Sequence, residues 1–410
     1  MDSFKMNKQK LINDPVLGFV NIPNDLTFDI ISHPYFQRLH HIVQMGLSFL
    51  VYPGAVHTRF NHTIGCMHLM KEALDTLQKK GIEITEEEKN GAYIAILLHD
   101  IGHGPFSHVL EHQILPTITH EEVSVLFMES LNTEFGGRLQ TALSIFKDEY
   151  PKPFLHQLIS GQLDVDRLDY LNRDSFYTGV QEGTVGTERI IKMLNVHEGN
   201  LVVEEKGIYS IEKFVLSRRL MFWQVYLHKT SVCAEQMLIH ILKRAKELIS
   251  QGEKIFSTPA LFPFLSNQYT KDEFTTNPNL LSAFARLDDH DIWICLKAWA
   301  LDSDPILSLL SKQLYSRNLF CAELQNTNFD LAYISAIKQK AKSIYSLSPT
   351  TLSYFVYEKD LTPKTYNPQG GGINILKKNG SIVDITDVSE LLDQHFVTKL
   401  DVKHLLCYPK

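Results

Sequence analysis

With 410 residues, 44% of them hydrophobic and 21% charged, the chain is long enough to bury a large core in one main domain with a smaller appendage. Its 40 Lys and Arg against 47 Asp and Glu give a formal net charge of −7, which argues against a partner such as duplex nucleic acid. The five cysteines (Cys66, Cys233, Cys295, Cys321 and Cys407) show no C-x-x-C spacing and speak against a zinc-finger or disulfide framework. The opening MDSFKMNKQKLIND lacks the apolar stretch of a signal peptide and no run approaches membrane-spanning length, so no membrane association and a cytoplasmic location are expected.

The first segment that carries chemistry is His57-Thr58-Arg59-Phe60-Asn61-His62-Thr63-Ile64-Gly65. It opens a helix whose apolar positions Met67, Met70, Leu74 and Leu77 lie along one side, with His62 in the first turn. After a break at Gly81, residues 92–98 read as a core helix, with Ile94, Leu97, Leu98 and Ile101 at helical spacing. Its polar end is His99-Asp100, where the loop from Gly102 to Pro105 begins. Consecutive helical positions point roughly 100° apart. An imidazole and a carboxylate so placed share one cation only at the helix end, and further donors must come from elsewhere in the chain.

His62 offers one such donor. Residues 163–174, where acids and bases alternate with Leu and Val, offer Asp166, because such alternation turns some charges inward. Taken singly, each has an ordinary reading: His62 as a satisfied helix histidine, Asp166 as the ion-pair partner of Arg167 or Arg173. The joint order His62, His99-Asp100, Asp166 is what points to a metal.

Further along, breaks fall at 151–153 and at 177–186, where three glycines recur directly after Asp174 and suit a mobile cover. A hairpin is expected at 201–209, a long helix carrying residues 218–246, and helices at 283–300 and 330–345. From about residue 350 the pattern turns to β-like runs at 352–357 and 373–376, separated by Gly370-Gly371-Gly372, with a last helix near 388–395. The expected fold class is mainly α, with a helical domain over 1–345 and a small α+β module over 346–410.

The order His, His-Asp, Asp resembles the HD-domain phosphohydrolase superfamily. The resemblance is closer still to its deoxynucleoside triphosphate triphosphohydrolase branch. It is carried by FQRL (36–39), QMG (44–46), YPGA (52–55), residues 57–65, HDIGHGPFSH (99–108), residues 164–174, YLHK (226–229) and RNLF (317–320), and spans residues 11 to 330. It implies a helical HD core over residues 36–180. It also implies one divalent metal ion per subunit, held by His62, His99, Asp100 and Asp166; such mixed nitrogen and oxygen donors suit manganese, iron, zinc or magnesium.

On the same resemblance, Arg59 and Arg167 lie against the phosphate nearest the sugar, with His108 beside them. Gln44, Tyr170 and Asp174 face the deoxyribose, and Tyr226 belongs to the same nucleotide pocket. Arg218, four residues before Phe222 and eight before Tyr226, reaches the outer phosphates. His120 stands where the family places its general acid or base, and His103 is the second candidate or an orienting residue. Nucleotide-activated members carry an acid and a base where this chain has Ser32 and His40, so that form of activation is not expected. Leu227 replaces the polar residue that some members place after the tyrosine, and no base preference is implied.

The expected function is cleavage of a nucleotide substrate, a deoxynucleoside triphosphate, to the deoxynucleoside and tripolyphosphate, by a homo-dimer or homo-tetramer. The rival readings are an HD phosphohydrolase acting on a nucleoside monophosphate or another small phosphoester, and a nucleotide-binding sensor with little turnover.

Overall fold

The computed structural model describes residues 10–345, 348, 351–363, 366, 371–392 and 402–410. It is mainly helical with small sheets, as the sequence leads one to expect. Three packed helices build the centre: Arg59–Lys79, Glu86–Leu97 and Val165–Thr178, the first lying against both others. Each begins at a residue able to hold the free N–H groups of a first turn. Asn61 Oδ1 accepts from Thr58 N–H at 3.1 Å, Thr85 and Glu88 cap one another reciprocally, and Asp164 Oδ1 accepts from Arg167 N–H at 2.8 Å. From Gly91 to Leu98 the middle helix and its end are buried at every position, and His99 and Asp100 follow directly on that run, with Asp100 itself buried.

The expected long helix over 218–246 is two helices, Ile208–Met221 and Lys229–Ser250. Between them residues 222–226 widen into a π turn, closed by Leu227 N–H to Phe222 O at 2.7 Å, and His228 Nδ1 then accepts from Thr230 N–H at 3.3 Å to start the next helix. Such insertions re-aim side chains, and Arg218, Phe222 and Tyr226 all line one cavity. The hairpin lies earlier than expected, Leu194–His197 against Asn200–Glu204, and Tyr209 is already helical. Residues 283–300 are likewise split, into Pro278–Phe284 and Asp289–Trp299, because Asp288 stops to cap the second by accepting from His290 N–H at 2.8 Å.

Residues 352–357 are not a strand. Leu352–Tyr354 make a single tight turn and the strand is Tyr357–Leu361, since Tyr354, Phe355 and Val356 are buried in succession and cannot alternate across a sheet. Residues 388–392 are not helical, and 393–395 lie outside the described residues. Lys403–Tyr408 pairs with both Cys321–Gln325 and Tyr357–Leu361, while Asn374–Leu376 runs parallel to the hairpin strand Asn200–Glu204. A division at 345/346 therefore passes through two sheets. All five cysteines are free, and among the described residues no helix is long and apolar enough to cross a membrane.

Candidate active site

The three central helices deliver their donors to one point. His62 is fully buried; its Nδ1 donates to Asp169 Oδ2 at 2.8 Å, and His99 Nδ1 donates to Ile96 O at 2.6 Å. Both rings are thereby fixed with Nε2 directed inward, the arrangement that second partners impose on metal-binding imidazoles. His62 Nε2 lies 3.0 Å from Asp166 Oδ1 and 3.7 Å from Asp100 Oδ2, and His99 Nε2 lies 3.4 Å from Asp100 Oδ1 and 3.7 Å from Asp166 Oδ1. Donors about 2.1 Å from a shared ion stand roughly 3.0 to 3.4 Å apart at right-angled or tetrahedral geometry; the 3.0 and 3.4 Å separations meet that spacing, and the two at 3.7 Å need only a small inward shift to do so. His99 Nε2 is buried with no hydrogen-bond partner among the described residues, an atom whose need a metal would meet.

The electrostatics agree. Burial works against every charge here, yet His62 and His99 hold Asp166 well below the usual carboxylate range, and Arg59, His99 and His103 do the same for Asp100. Burial would also lower both imidazoles, but Cys66, Asp166 and Asp169 carry His62 well above its ordinary value, and Asp100 and Asp166 raise His99. The cluster is built to hold positive charge between two carboxylates. Cys66 also borders it, but burial pushes its thiol up, and Sγ stands 3.5 and 3.6 Å from the two nitrogens of His62, over the ring rather than in line with either. It packs as a thiol.

Behind His62, Asp169 takes Arg173 Nε at 2.7 Å and Nη2 at 2.8 Å, and Arg173 Nη1 reaches Asp14 Oδ2 at 2.7 Å. This pair needs the space beside Gly65, where a Cβ would stand 2.0 Å from Asp169 Oδ1.

A cavity of 770 Å³ opens over the cluster, within the usual size of a small-molecule site. Arg59 is committed to its floor, paired with Asp100 and donating from Nε to Ser107 Oγ at 2.8 Å. Ser107 and Phe106 adopt φ of 54° and 53°, a conformation that costs a non-glycine residue about 1 kcal/mol. Asp289 holds the loop there, accepting from Phe106 N–H at 2.7 Å and Val43 N–H at 2.9 Å. Arg167 pairs with Asp164, and Arg218 donates from Nη1 to the neutral Gln162 at 3.3 Å; the Nε of both arginines is buried without an acceptor among the described residues.

At one edge His120, first residue of the helix His120–Glu134, stacks on His103 with centroids 3.9 Å apart, and its Nδ1 meets Glu111 Oε1 at 2.7 Å. Burial, Arg59 and His120 press His103 well below the imidazole range, so it is a neutral ring whose Nε2 faces Asp100 Oδ1 at 3.4 Å. His108 stands exposed at the mouth, 3.3 Å from Glu111. Elsewhere Tyr226 OH donates to Asp174 Oδ2 at 2.8 Å and His57 Nε2 meets Asp174 Oδ1 at 2.7 Å, so Asp174 is engaged at both oxygens. Gln44 Oε1 is buried and unbonded among the described residues, and Tyr170 lies edge-on to Tyr226 with centroids 6.1 Å apart.

Every sequence-expected residue except His62 lines this cavity, and His62 lies directly beneath it. None of residues 177–186 does. Gly183 packs against Met221 instead, and Glu182 accepts from Gln224 at 3.2 Å, so the expected cover is part of the supporting wall. Sequence reasoning gave no role to Asp169, His57 or Glu111. A signal existed for two: Asp169 is one turn past Asp166, and Glu111 one turn past His108.

The HD domain family matches residues 59–174, and the HD associated region family matches 185–257. A phosphohydrolase from Bacteroides thetaiotaomicron is 50% identical in sequence, with a TM-score of 0.94 over 98% of this chain and 100% of that one. The uncharacterized protein YwfO of Bacillus subtilis is 31% identical over 99% of this chain and 93% of its own length. Deoxynucleoside triphosphate triphosphohydrolase SAMHD1 of Bos taurus is 28% identical over 67% of this chain, a match that spans 56% of that longer protein. With the donor cluster, these matches place the chain in the HD-domain phosphohydrolase superfamily, as a hydrolase similar in sequence to the deoxynucleoside triphosphate triphosphohydrolase branch.

Proposed function

We propose that the protein is a metal-dependent deoxynucleoside triphosphate triphosphohydrolase, releasing the deoxynucleoside and tripolyphosphate. The observation that carries this reading is the convergence of His62, His99, Asp100 and Asp166 below a cavity whose arginines, Arg167 and Arg218, each keep a buried Nε–H without an acceptor among the described residues. A bound divalent ion held by those four residues supplies a polarised phosphate oxygen and an activated water. Unsatisfied buried guanidinium groups are costly unless an anion completes them, and a triphosphate brings several negative oxygens. Arg167 and Arg218 bind and orient the phosphates, while Arg59, tied to Asp100 and Ser107, fixes the phosphate nearest the sugar.

His120, backed by Glu111, holds the proton for the departing oxygen. Burial opposes the charge on Glu111, but hydrogen bonds from His108 and His120 keep its carboxyl far below the ordinary range, so it stays ionised behind the imidazole. Tyr226, oriented by Asp174 and His57, packs with Tyr170 against the sugar and leaves no room for a 2′-hydroxyl, while Gln44 offers its free carbonyl to the 3′-hydroxyl.

The test is chromatography of the products from a panel of nucleotides incubated with metal-loaded protein. Tripolyphosphate and deoxynucleoside are expected from deoxynucleoside triphosphates, with ATP and GTP poor substrates. Orthophosphate as the sole product moves the protein to the phosphomonoester readings, and stabilisation by nucleotide without product marks a sensor.

A further inference from the structure

The cavity wall holds a carboxylate and an ammonium that the proposed reaction does not use. Glu235, on the helix Lys229–Ser250, is half-buried and lines the cavity, with no hydrogen bond to its carboxylate among the described residues. Lys359 and Thr362 line the same cavity from the strand Tyr357–Leu361 and the residue just past it, so the C-terminal segment contributes to the rim. The chain runs to Glu235 from two of the residues assigned to the sugar, Gln44 and Tyr226. Gly46 stands two residues past Gln44, and a Cβ there would lie 4.0 Å from Glu235 Oε1; the Glu235 helix starts three residues past Tyr226. Gly46, at φ +52°, leaves that stretch of wall without a side chain.

We infer that Glu235 and Lys359 form a base-reading pair beyond the sugar-facing residues, and that the base they fit is guanine. The inference rests on the reading of this cavity as a deoxynucleotide site. Guanine presents a ring N–H and an amino group beside a carbonyl oxygen, two donors next to an acceptor. A carboxylate accepts from the former and an ammonium donates to the latter. Adenine turns a lone pair toward the carboxylate and an amino group toward the ammonium, and both meetings are repulsive. Burial without a donor also pushes the Glu235 carboxyl up to about 7, against the pull of Lys359, and a ligand N–H supplies the donor it lacks. Gln236 and Thr362 add neutral polar groups at the same rim.

The experiment is kcat/KM for dGTP and dATP with the metal-loaded full chain and with Glu235→Gln and Lys359→Met. Wild type is expected to favour dGTP by about tenfold or more, as a site built around specific donors and acceptors does. Glu235→Gln keeps the shape and removes the charge; its ratio is expected to fall to about one, mainly through a higher KM for dGTP. Lys359→Met is expected to reduce the ratio by a smaller factor. A wild type indifferent to the base, an unchanged ratio in Glu235→Gln, or a Lys359→Met that weakens both nucleotides equally by losing a phosphate contact overturns the pair. If no triphosphate is hydrolysed, the reaction reading fails separately, and calorimetry with dGMP and dAMP decides the base: preference for dGMP lost in Glu235→Gln sustains the inference, and equal binding overturns it.

Discussion

The floor of the cavity and its wall are built on opposite principles. In the floor each imidazole is gripped from behind before any ligand arrives, His62 by Asp169 and His99 by the Ile96 carbonyl, and Asp169 is gripped in turn by Arg173, whose other nitrogen Asp14 holds. In the wall, Gln44 Oε1, Arg167 Nε and Arg218 Nε are buried with nothing to bond among the described residues. A preorganised floor fixes the geometry of a small cation to a few tenths of an ångström, and a wall with unmet donors waits for a larger anionic ligand to complete it. Substitutions in the two regions should therefore fail differently: the floor through metal content, the wall through substrate constants.

The largest effect belongs to Asp166→Ala. It removes a carboxylate shared by both imidazoles, so metal and hydrolysis are expected to be lost together, with activity falling by roughly a thousandfold or more. Metal removal sharpens the same point. Chelation is expected to lower the melting temperature of the wild type, since a ligand at about a hundred times its dissociation constant adds about 2.7 kcal/mol, and to leave Asp166→Ala unmoved. Full metal content in that variant would take Asp166 out of the ligand set.

His120→Ala comes next, with kcat expected to drop by about 10² to 10⁴ while KM and metal content change little. Should KM rise instead with kcat preserved, His120 is a binding residue and Glu111 merely steadies it. Asp169→Asn reaches the ion only through His62. It is expected to weaken metal binding by roughly 10 to 100-fold, read from metal content against free metal, with activity restored at high metal. It also leaves Arg173 with one carboxylate where it had two, so some loss of melting temperature accompanies it.

The floor was legible in the sequence and the wall was only partly so. His62, His99, Asp100 and Asp166 sit in short segments where the local pattern, a buried helix ending in two polar residues or acids spaced among Leu and Val, already says that charge is turned inward. Asp169 was within the same run, one turn past Asp166, a spacing that places it on the same helix face but does not separate an acid that could meet an ion from one that holds a neighbouring imidazole. The wall depends on a π turn at 222–226 and on a strand at 357–361 that pairs with residues 403–408. Hydrophobic periodicity reads straight through a one-residue widening, so residues 218–246 looked like a single helix. Pairing across dozens of residues leaves no mark at all in a local pattern, which is why the C-terminal segment read as a module apart.

The smallest expected effect tests how the wall treats the sugar. Asp174 accepts from Tyr226 OH at 2.8 Å and meets His57 Nε2 at 2.7 Å, so on the proposed reading it acts on the substrate by holding the Tyr226 ring. Removing the phenol oxygen in Tyr226→Phe keeps the ring's bulk and frees its position, at a cost of about 1 kcal/mol for the lost hydrogen bond. The ratio of kcat/KM for dATP over ATP is then expected to fall by severalfold, with metal content unchanged and turnover of dATP itself reduced less than the ratio. A ring that excluded the 2′-hydroxyl by bulk alone would leave that ratio where it was. The discrimination would then reside in Tyr170 and the backbone behind it, and the bridge from His57 through Asp174 to Tyr226 would be part of the scaffold.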